Sequence, residues 1–383
     1  MRTIVLAVIP LAMACSGECY DNGQDSNVCP SGGAGTEVQA ELYEPHALGA
    51  AGDHFVSLIS YFNNLESPTQ SERWLVHFDR SGSVLQITET DLVSPAPVIA
   101  ADGLRSTLVV RDNLAQFLRD GLVLDETLLD GQAAATYRDG YWIAVASTPR
   151  QLLRFDTNGL QLSKTTDSDD RRVDKPSLAT DPLGDGIAAG WRLTETYSVV
   201  VERFIDGVAT TFELAPDPAL ERPWASPIAM RDGAVAVVFG AVNDTGRIVL
   251  RSATDQIIDK PVAVPARCPE RQALIGTPEG YLLHCDHRFI LFDATGTVVA
   301  DQPAPFDARL ASGRGAALAI GSNNRDIETR DVSITIAEPT VVFEGESHEL
   351  AGGCSSTRPS ASLLVILALQ FRSRKRRPPR AHS

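Results

Sequence analysis

Between about residues 45 and 345 the apolar positions fall into short runs, alternating or continuous, each broken by a turn carrying glycine. No window in 36–345 sustains the 3.6-residue period of an amphipathic helix, whereas the period-two alternation of strands recurs throughout. The clearest series is "LGAAGDHFVSLISYF" (48–62), "PVIAADGLRSTLVV" (97–110), "AATYRDGYWIAVA" (134–146), "PSLATDPLGDGIAAGW" (176–191), "PIAMRDGAVAVVFG" (227–240), "ALIGTPEGYLLHC" (273–285) and "ARLASGRGAALAIG" (308–321). Its turn glycines, Gly52, Gly103, Gly140, Gly186, Gly233, Gly280 and Gly315, are separated by 51, 37, 46, 47, 47 and 35 residues.

A second hairpin follows each of these. "VHFDRSGSVLQI" (76–87), "QFLRDGLVL" (116–124), "LRFDTNGLQL" (153–162), "ERFIDGVATTFEL" (202–214) and "ILFDATGTVVA" (290–300) place Asp and Gly at the turn. Asp-Gly and Asp-x-x-Gly supply the positive-φ positions that tight hairpins need. "VLRSATDQIIDK" (249–260) keeps the strands without the glycine, and "ETRDVSITIAE" (328–338) is the weakest copy. Two hairpins per unit make four antiparallel strands, the repeat of a β-propeller blade. The fold class is therefore all-β, a single β-propeller over 37–348 with seven four-stranded blades. The alternative is six blades plus an appendage, and a two-sheet sandwich would show no period of this length. "EVQAELYEP" (37–45) resembles the outer strands of later units, such as "VLQITETDLVSP", so strand exchange with the final blade is expected to close the ring and remove its edges.

The two ends break this pattern. "MRTIVLAVIPLAMAC" pairs one positive charge with an apolar run too short for a bilayer, the layout of a secretory signal peptide over 1–14. Ala12-Met13-Ala14 suits leader peptidase. Leu11 to Cys15 also resembles a lipobox, in which Cys15 would carry a diacylglyceryl group, although leucine stands at −4 and Met13 at −2. Residues 15–36 are rich in Gly, Ser, Asn and Asp and read as a linker with a disulfide loop between Cys19 and Cys29. Within it, "DNGQDSN" (21–27) lacks the central glycine and distal glutamate of a calcium loop and reads as a solvated turn.

At the far end, Gly352-Gly353-Cys354 is followed by a Ser/Pro spacer and seven uninterrupted apolar residues, Leu363 to Leu369. The run is too short for a durable span. Arg372, Arg374, Lys375, Arg376 and Arg377 follow, as the positive-inside bias expects of a cytoplasmic flank. This order resembles the MYXO-CTERM sorting signal of myxobacteria and their relatives, with Gln370 as a polar departure. The resemblance covers 349–383 and does not extend to the body. It implies a brief hold in the inner membrane, cleavage near Cys354 by a rhomboid-like sorting protease, and display on the cell surface or outer membrane. The competing reading of the tail is a simple anchor facing the cytoplasm.

Composition sharpens this in two respects. Arg2 and the seven basic residues after Cys354 account for eight of the 34, which leaves 26 against 49 acidic residues for the rest. Such a surface repels polyphosphate, so nucleic acid is not an expected partner. With Cys15 and Cys354 as lipidation or processing sites, the remaining cysteines form two local pairs, Cys19 with Cys29 and Cys268 with Cys285, as an oxidising compartment allows. The second pair would staple an incoming connection to the first long strand of its unit.

Chemistry is sparse. "HCDH" (284–287) places His284 and Asp286 on one face of a strand and Cys285 and His287 on the other, too few convergent ligands for zinc, and it reads as a strand ending in a polar turn. No nucleophile elbow, zinc-protease helix, P-loop or dinucleotide motif is present. The histidines His46, His54 and His77 are scattered over strands, "DSDDRR" (167–172) reads as an exposed loop, and Trp74, Trp142, Trp191 and Trp224 read as core or blade-interface packing. No catalytic residue, cofactor or metal is assigned. The function expected is a non-catalytic, monomeric surface module for binding, adhesion or scaffolding, with an unspecified protein or glycan ligand. The alternative is a glycan hydrolase or lyase with carboxylates in the propeller funnel. A funnel lined by Ala, Val and Ser favours the first, and converging carboxylates with tryptophan favour the second.

Overall fold

The computed structural model describes residues 42–348 apart from 52–53, 63–70, 91, 93–97, 112, 168, 266–267, 269–271, 286, 305–308, 323–326, 336–339 and 345–346. Cys15, Cys19, Cys29 and Cys354, and both processing segments, lie outside the described residues. All described residues fall in one compact unit, 35–350. No helix among them is long and apolar enough to cross a membrane.

Seven antiparallel sheets follow one another along the chain, spanning 42–89, 98–128, 132–166, 173–214, 224–263, 272–303 and 309–348. Each is a four-stranded meander. The first strand of blade 5 is split into Trp224–Ala225 and Ala229–Arg231, and blade 7 gains Ser347–His348 beside its third strand. The innermost strands are Leu42–Ala51, Val98–Asp102, Gln132–Tyr137, Val173–Thr180, the split strand of blade 5, Gln272–Gly276 and Arg309–Gly313. Each packs against the next, and the first packs against the last, so the ring closes on a central channel. The protein is a seven-bladed β-propeller.

The apolar pattern explains the layering. Second strands such as Tyr141–Ala146, Ala234–Gly240 and Gly280–Cys285 are buried along nearly their whole length, which is why they read as continuous apolar runs. The outermost strand Gln161–Thr166 is exposed at every residue and correspondingly polar. Among the described residues six apolar clusters each join two consecutive blades, among them Leu108, Phe117, Tyr141 and Phe155 between blades 2 and 3, and Trp224, Ile248, Tyr281 and Phe292 between blades 5 and 6.

Five of the repeat glycines, Gly103, Gly140, Gly186, Gly233 and Gly315, sit at the turn between the first and second strands of a blade, and Gly280 opens the second strand of blade 6; Gly52 lies outside the described residues. At Asp232-Gly233 both residues adopt positive φ, 49° and 70°, the two left-handed positions of a type I′ hairpin. In the copy without glycine, Asp255 takes the left-handed position at φ 64°. Where the second hairpin is Asp-x-x-Gly, the aspartate closes it. Asp79, Asp156 and Asp293 each accept backbone N–H bonds from the residues two and four positions on. Burial raises each carboxyl, but these bonds to the charged form outweigh it and hold all three below the usual carboxylate range.

Closure differs from expectation. Leu42–Ala51 is the innermost strand of blade 1, paired with His54–Phe62, and blade 7 is built from consecutive strands of its own. Among the described residues no strand is exchanged between them, and 37–41 lies outside the described residues. The register explains why: with Ala51 opposite His54, the segment forms a hairpin with its immediate successor, the shortest loop to close.

The Cys268–Cys285 disulfide is present, both residues fully buried in the cluster between blades 5 and 6. It ties the connection entering blade 6 to the end of that blade's second strand, Gly280–Cys285. Its loop of 17 residues sets the expected effect of removal. Replacing both cysteines by serine is predicted to lower stability by about 3 kcal/mol, read as a lower urea midpoint at an unchanged slope. An unchanged midpoint would show the staple to be energetically idle.

Candidate functional site

The innermost strands enclose an axial cavity of about 300 Å³. Six of them contribute alanine to its wall, Ala47, Ala135, Ala179, Ala229, Ala273 and Ala311, joined by Leu178, Leu274, Ile275 and Leu310. Thr136, Thr180 and Ser312 are its polar hydroxyls, and His284 and Arg309 its ionisable side chains. No carboxylate and no tryptophan lines it among the described residues.

One end of the channel is crossed by the blade 4 loop Asp181–Gly186. The Gly315 amide of blade 7 donates to the Pro182 carbonyl at 2.9 Å, and Thr180 Oγ1 donates to the Ser312 carbonyl at 3.4 Å. Blades 4 and 7 stand on opposite sides of a seven-membered ring, so these bonds span the axis. Asp185 pairs with Arg138 of blade 3 at 3.4 Å and Arg314 of blade 7 at 3.6 Å. A smaller cavity of about 130 Å³ remains at this end, between Tyr137, Arg138, Asp139, Asp185 and Arg314.

Asp181 holds the strap in place. It is 2% exposed, and its carboxylate accepts the amides of Leu183, Asp232 and Gly233 at 2.9, 2.9 and 2.7 Å. The first bond curls the loop on itself, and the other two fasten it to the blade 5 turn. Arg138 Nη2 donates to the Asp181 carbonyl at 2.8 Å, and burial, the larger influence, lowers the affinity of this guanidinium for its proton against the pull of Asp185. Arg231 repeats the gesture two blades on, donating to the Pro278 carbonyl of blade 6 from Nε and Nη2. Both arginines open an Arg-Asp-Gly turn, at 138–140 and 231–233. That recurring arginine is the signal in the sequence that reading the glycines alone passes over.

The remaining candidate residues are dispersed. His284 is buried, lines the channel and packs on Phe289 at 4.9 Å, while His287 is exposed on the turn at φ 60°. Cys285 is committed to its disulfide, Asp286 lies outside the described residues, and no group of three or more His, Cys, Asp or Glu is gathered among those described. Trp191 and Trp224 are buried, and Trp142 packs on Phe204 at 5.2 Å, all at blade interfaces.

The 167–172 loop is more structured than an exposed run. Buried Arg150 reaches Asp167 and Asp169, lies 5.7 Å from the Trp191 ring, and Arg171 extends the chain to Glu213 at 2.9 Å. Nearby Glu202 is pushed upward, chiefly by burial. Only Asp170, Arg171 and Arg172 of this loop's described residues are exposed as the composition suggests. The other unforeseen grouping is His54 with His77, whose rings lie 5.8 Å apart in blade 1. Burial, reinforced by His54, lowers His77 to about 4.

Two predictions follow from these contacts. Asp181→Ala strands three amides and is expected to destabilise the propeller by about 3 kcal/mol, with faster hydrogen exchange at Leu183, Asp232 and Gly315. Protection at those amides equal to wild type would refute the strap's dependence on Asp181. His77 is neutral in the fold, whereas the unfolded side chain titrates near 6.5. Stability is therefore full above pH 6.5 and falls toward pH 4, by up to about 3 kcal/mol. A His77→Gln variant should lose that slope in urea unfolding measured from pH 7 to 4, and an identical slope in both proteins would contradict the assignment.

No family model matches the chain, and no curated protein matches it. Many solved structures do. A chain from a structural and mechanistic study of two prolyl endopeptidases is 13% identical, with a TM-score of 0.50, over 82% of this chain and 50% of that one. Sqt1 of Saccharomyces cerevisiae is 14% identical with a TM-score of 0.46, covering 80% of this chain and 97% of its own. BamB of Moraxella catarrhalis is 12% identical with a TM-score of 0.42, covering 78% and 95%. At these identities the similarity is one of fold.

Proposed function

We propose that the chain is an exported β-propeller displayed on a bacterial cell surface, acting as a non-catalytic binding, adhesion or scaffold module. The lining of the channel carries this reading. Catalysis on glycans asks for carboxylates flanking the scissile bond, and the wall here is alanine, leucine and isoleucine with three hydroxyls, a histidine and an arginine. Asp139 and Asp185 line the smaller cavity beyond the strap, where Asp185 is paired with Arg138 and Arg314. Display rests on the two terminal segments: the leader ending before Cys15, and the Gly-Gly-Cys tail with its arginine block after Cys354.

The chain expressed in a host that carries the sorting machinery tests both halves. Incubated with a panel of surface polysaccharides, the mature protein is expected to retain one or more on an array and to release no product by mass spectrometry. Cleavage of any member overturns the non-catalytic reading. Intact mass is expected to show loss of 355–383, and a native protein still carrying that tail overturns display through the sorting signal.

A further inference from the structure

We propose that the axial channel binds a small monoanion with a compact apolar body, the anionic group on Arg309 and the body running along the channel toward the Asp181–Gly186 strap. This rests on the reading of the channel as a binding site.

Arg309 is the first residue of the blade 7 inner strand, Arg309–Gly313, and lines the cavity. It is half-buried, and no carboxylate among the described residues lies within ion-pair distance of it. The other channel-end arginines are spoken for: Arg138 and Arg314 meet Asp185, and Arg231 meets the Pro278 carbonyl. A partly desolvated cation without a counter-charge is unfavourable, and an anion entering the channel removes that penalty. Guanidinium presents a planar fork of donors suited to a carboxylate or similar oxyanion.

The rest of the cavity sets the other half of the ligand. Ser312, whose carbonyl takes the Thr180 bond at the strap, lies three residues along the strand from Arg309. That separation is about 10 Å at the rise of a strand. Between them the wall is Ala179, Ala229, Leu274, Leu310 and Ala311, with no second charge from an acid. A volume of about 300 Å³ is at the small end of ligand sites and holds about ten water-sized groups. His284 contributes an imidazole to the same wall. One cation, one blind end and an apolar barrel between them describe an amphiphile of single negative charge.

Octanoate, octanamide and octylamine share the apolar body and differ in charge. Titrated calorimetrically into the full chain, octanoate is expected to bind one to one, at least tenfold tighter than octanamide, with octylamine weaker still. Arg309→Met should bring octanoate down to the octanamide level, Arg309→Lys should retain a preference for the anion, and Ala311→Trp should abolish binding of all three, each with a wild-type urea midpoint to show the fold intact. Equal binding of octanoate and octanamide, or an Arg309→Met variant that keeps the preference, overturns the proposal. Failure to bind octanoate while a polysaccharide is still retained overturns this inference and leaves the module reading standing. Chemical conversion of octanoate in the calorimeter cell overturns the module reading itself.

Discussion

Seven inner strands share one axis, and the room they leave one another governs the structure around them. A Cβ on Gly49 would stand 2.2 Å from the Ile99 carbonyl oxygen of the next blade, and one on Gly276 would stand 1.9 Å from that of Met230. Real side chains do not approach backbone so closely, so these two positions admit glycine alone. The same crowding selects alanine at six of the seven walls of the channel. An apolar, narrow channel is thus the consequence of closing the ring, and it leaves little space for the paired carboxylates that a hydrolytic funnel requires. The bulk excluded from the axis is placed between blades, where Trp191, Tyr141, Phe239 and Tyr281 are fully buried.

With no exchanged strand among the described residues, ring closure throws weight onto the strap. Many backbone bonds hold each blade together, but none of the blade ladders runs from one sheet to another. Between sheets the work falls to side-chain packing and to a few polar ties: Arg138 to blade 4, Asp181 to blade 5, Arg231 to blade 6, Ser312 to the Gly276 carbonyl, and Gly315 back to Pro182. These ties run from blade 3 to blade 7 and return across the axis to blade 4. The disulfide adds a covalent stitch within blade 6. A polar network of this kind stabilises only while every member is satisfied, which places Asp181, with three amides on one carboxylate, at its most sensitive node.

The architecture was legible because hairpins are local. Asp-Gly at 232–233 and Asp-x-x-Gly at 79–82 declare their turns within four residues, and the spacing of the glycines then counts the blades. The site was not legible because it is assembled across the ring. Asp181 and Pro182 look like ordinary loop residues until blade 7 is brought opposite blade 4. His54 and His77 lie 23 positions apart in sequence and meet only because the register pairs Val56 with His77. The same holds for Arg150, whose burial against Trp191 turns an acidic loop from a solvated run into a partner. Strand exchange is not found among the described residues because a likeness between segments 37–45 and 84–95 carries no information about which neighbour forms a hairpin first.

The acidic surface and Arg309, the one arginine on the channel wall among the described residues, are expected to act in opposite directions on the same class of molecule. Between residues 15 and 354 the chain carries 49 acidic against 26 basic residues, a field that holds polyanions away. At physiological ionic strength that field decays within about 8 Å, so a compact ion with one charge meets a smaller barrier than a polymer bearing many. Once inside, it leaves the screening solvent, and the interaction with Arg309 strengthens as the dielectric falls. Surface repulsion therefore filters by charge number and the channel by size and apolarity.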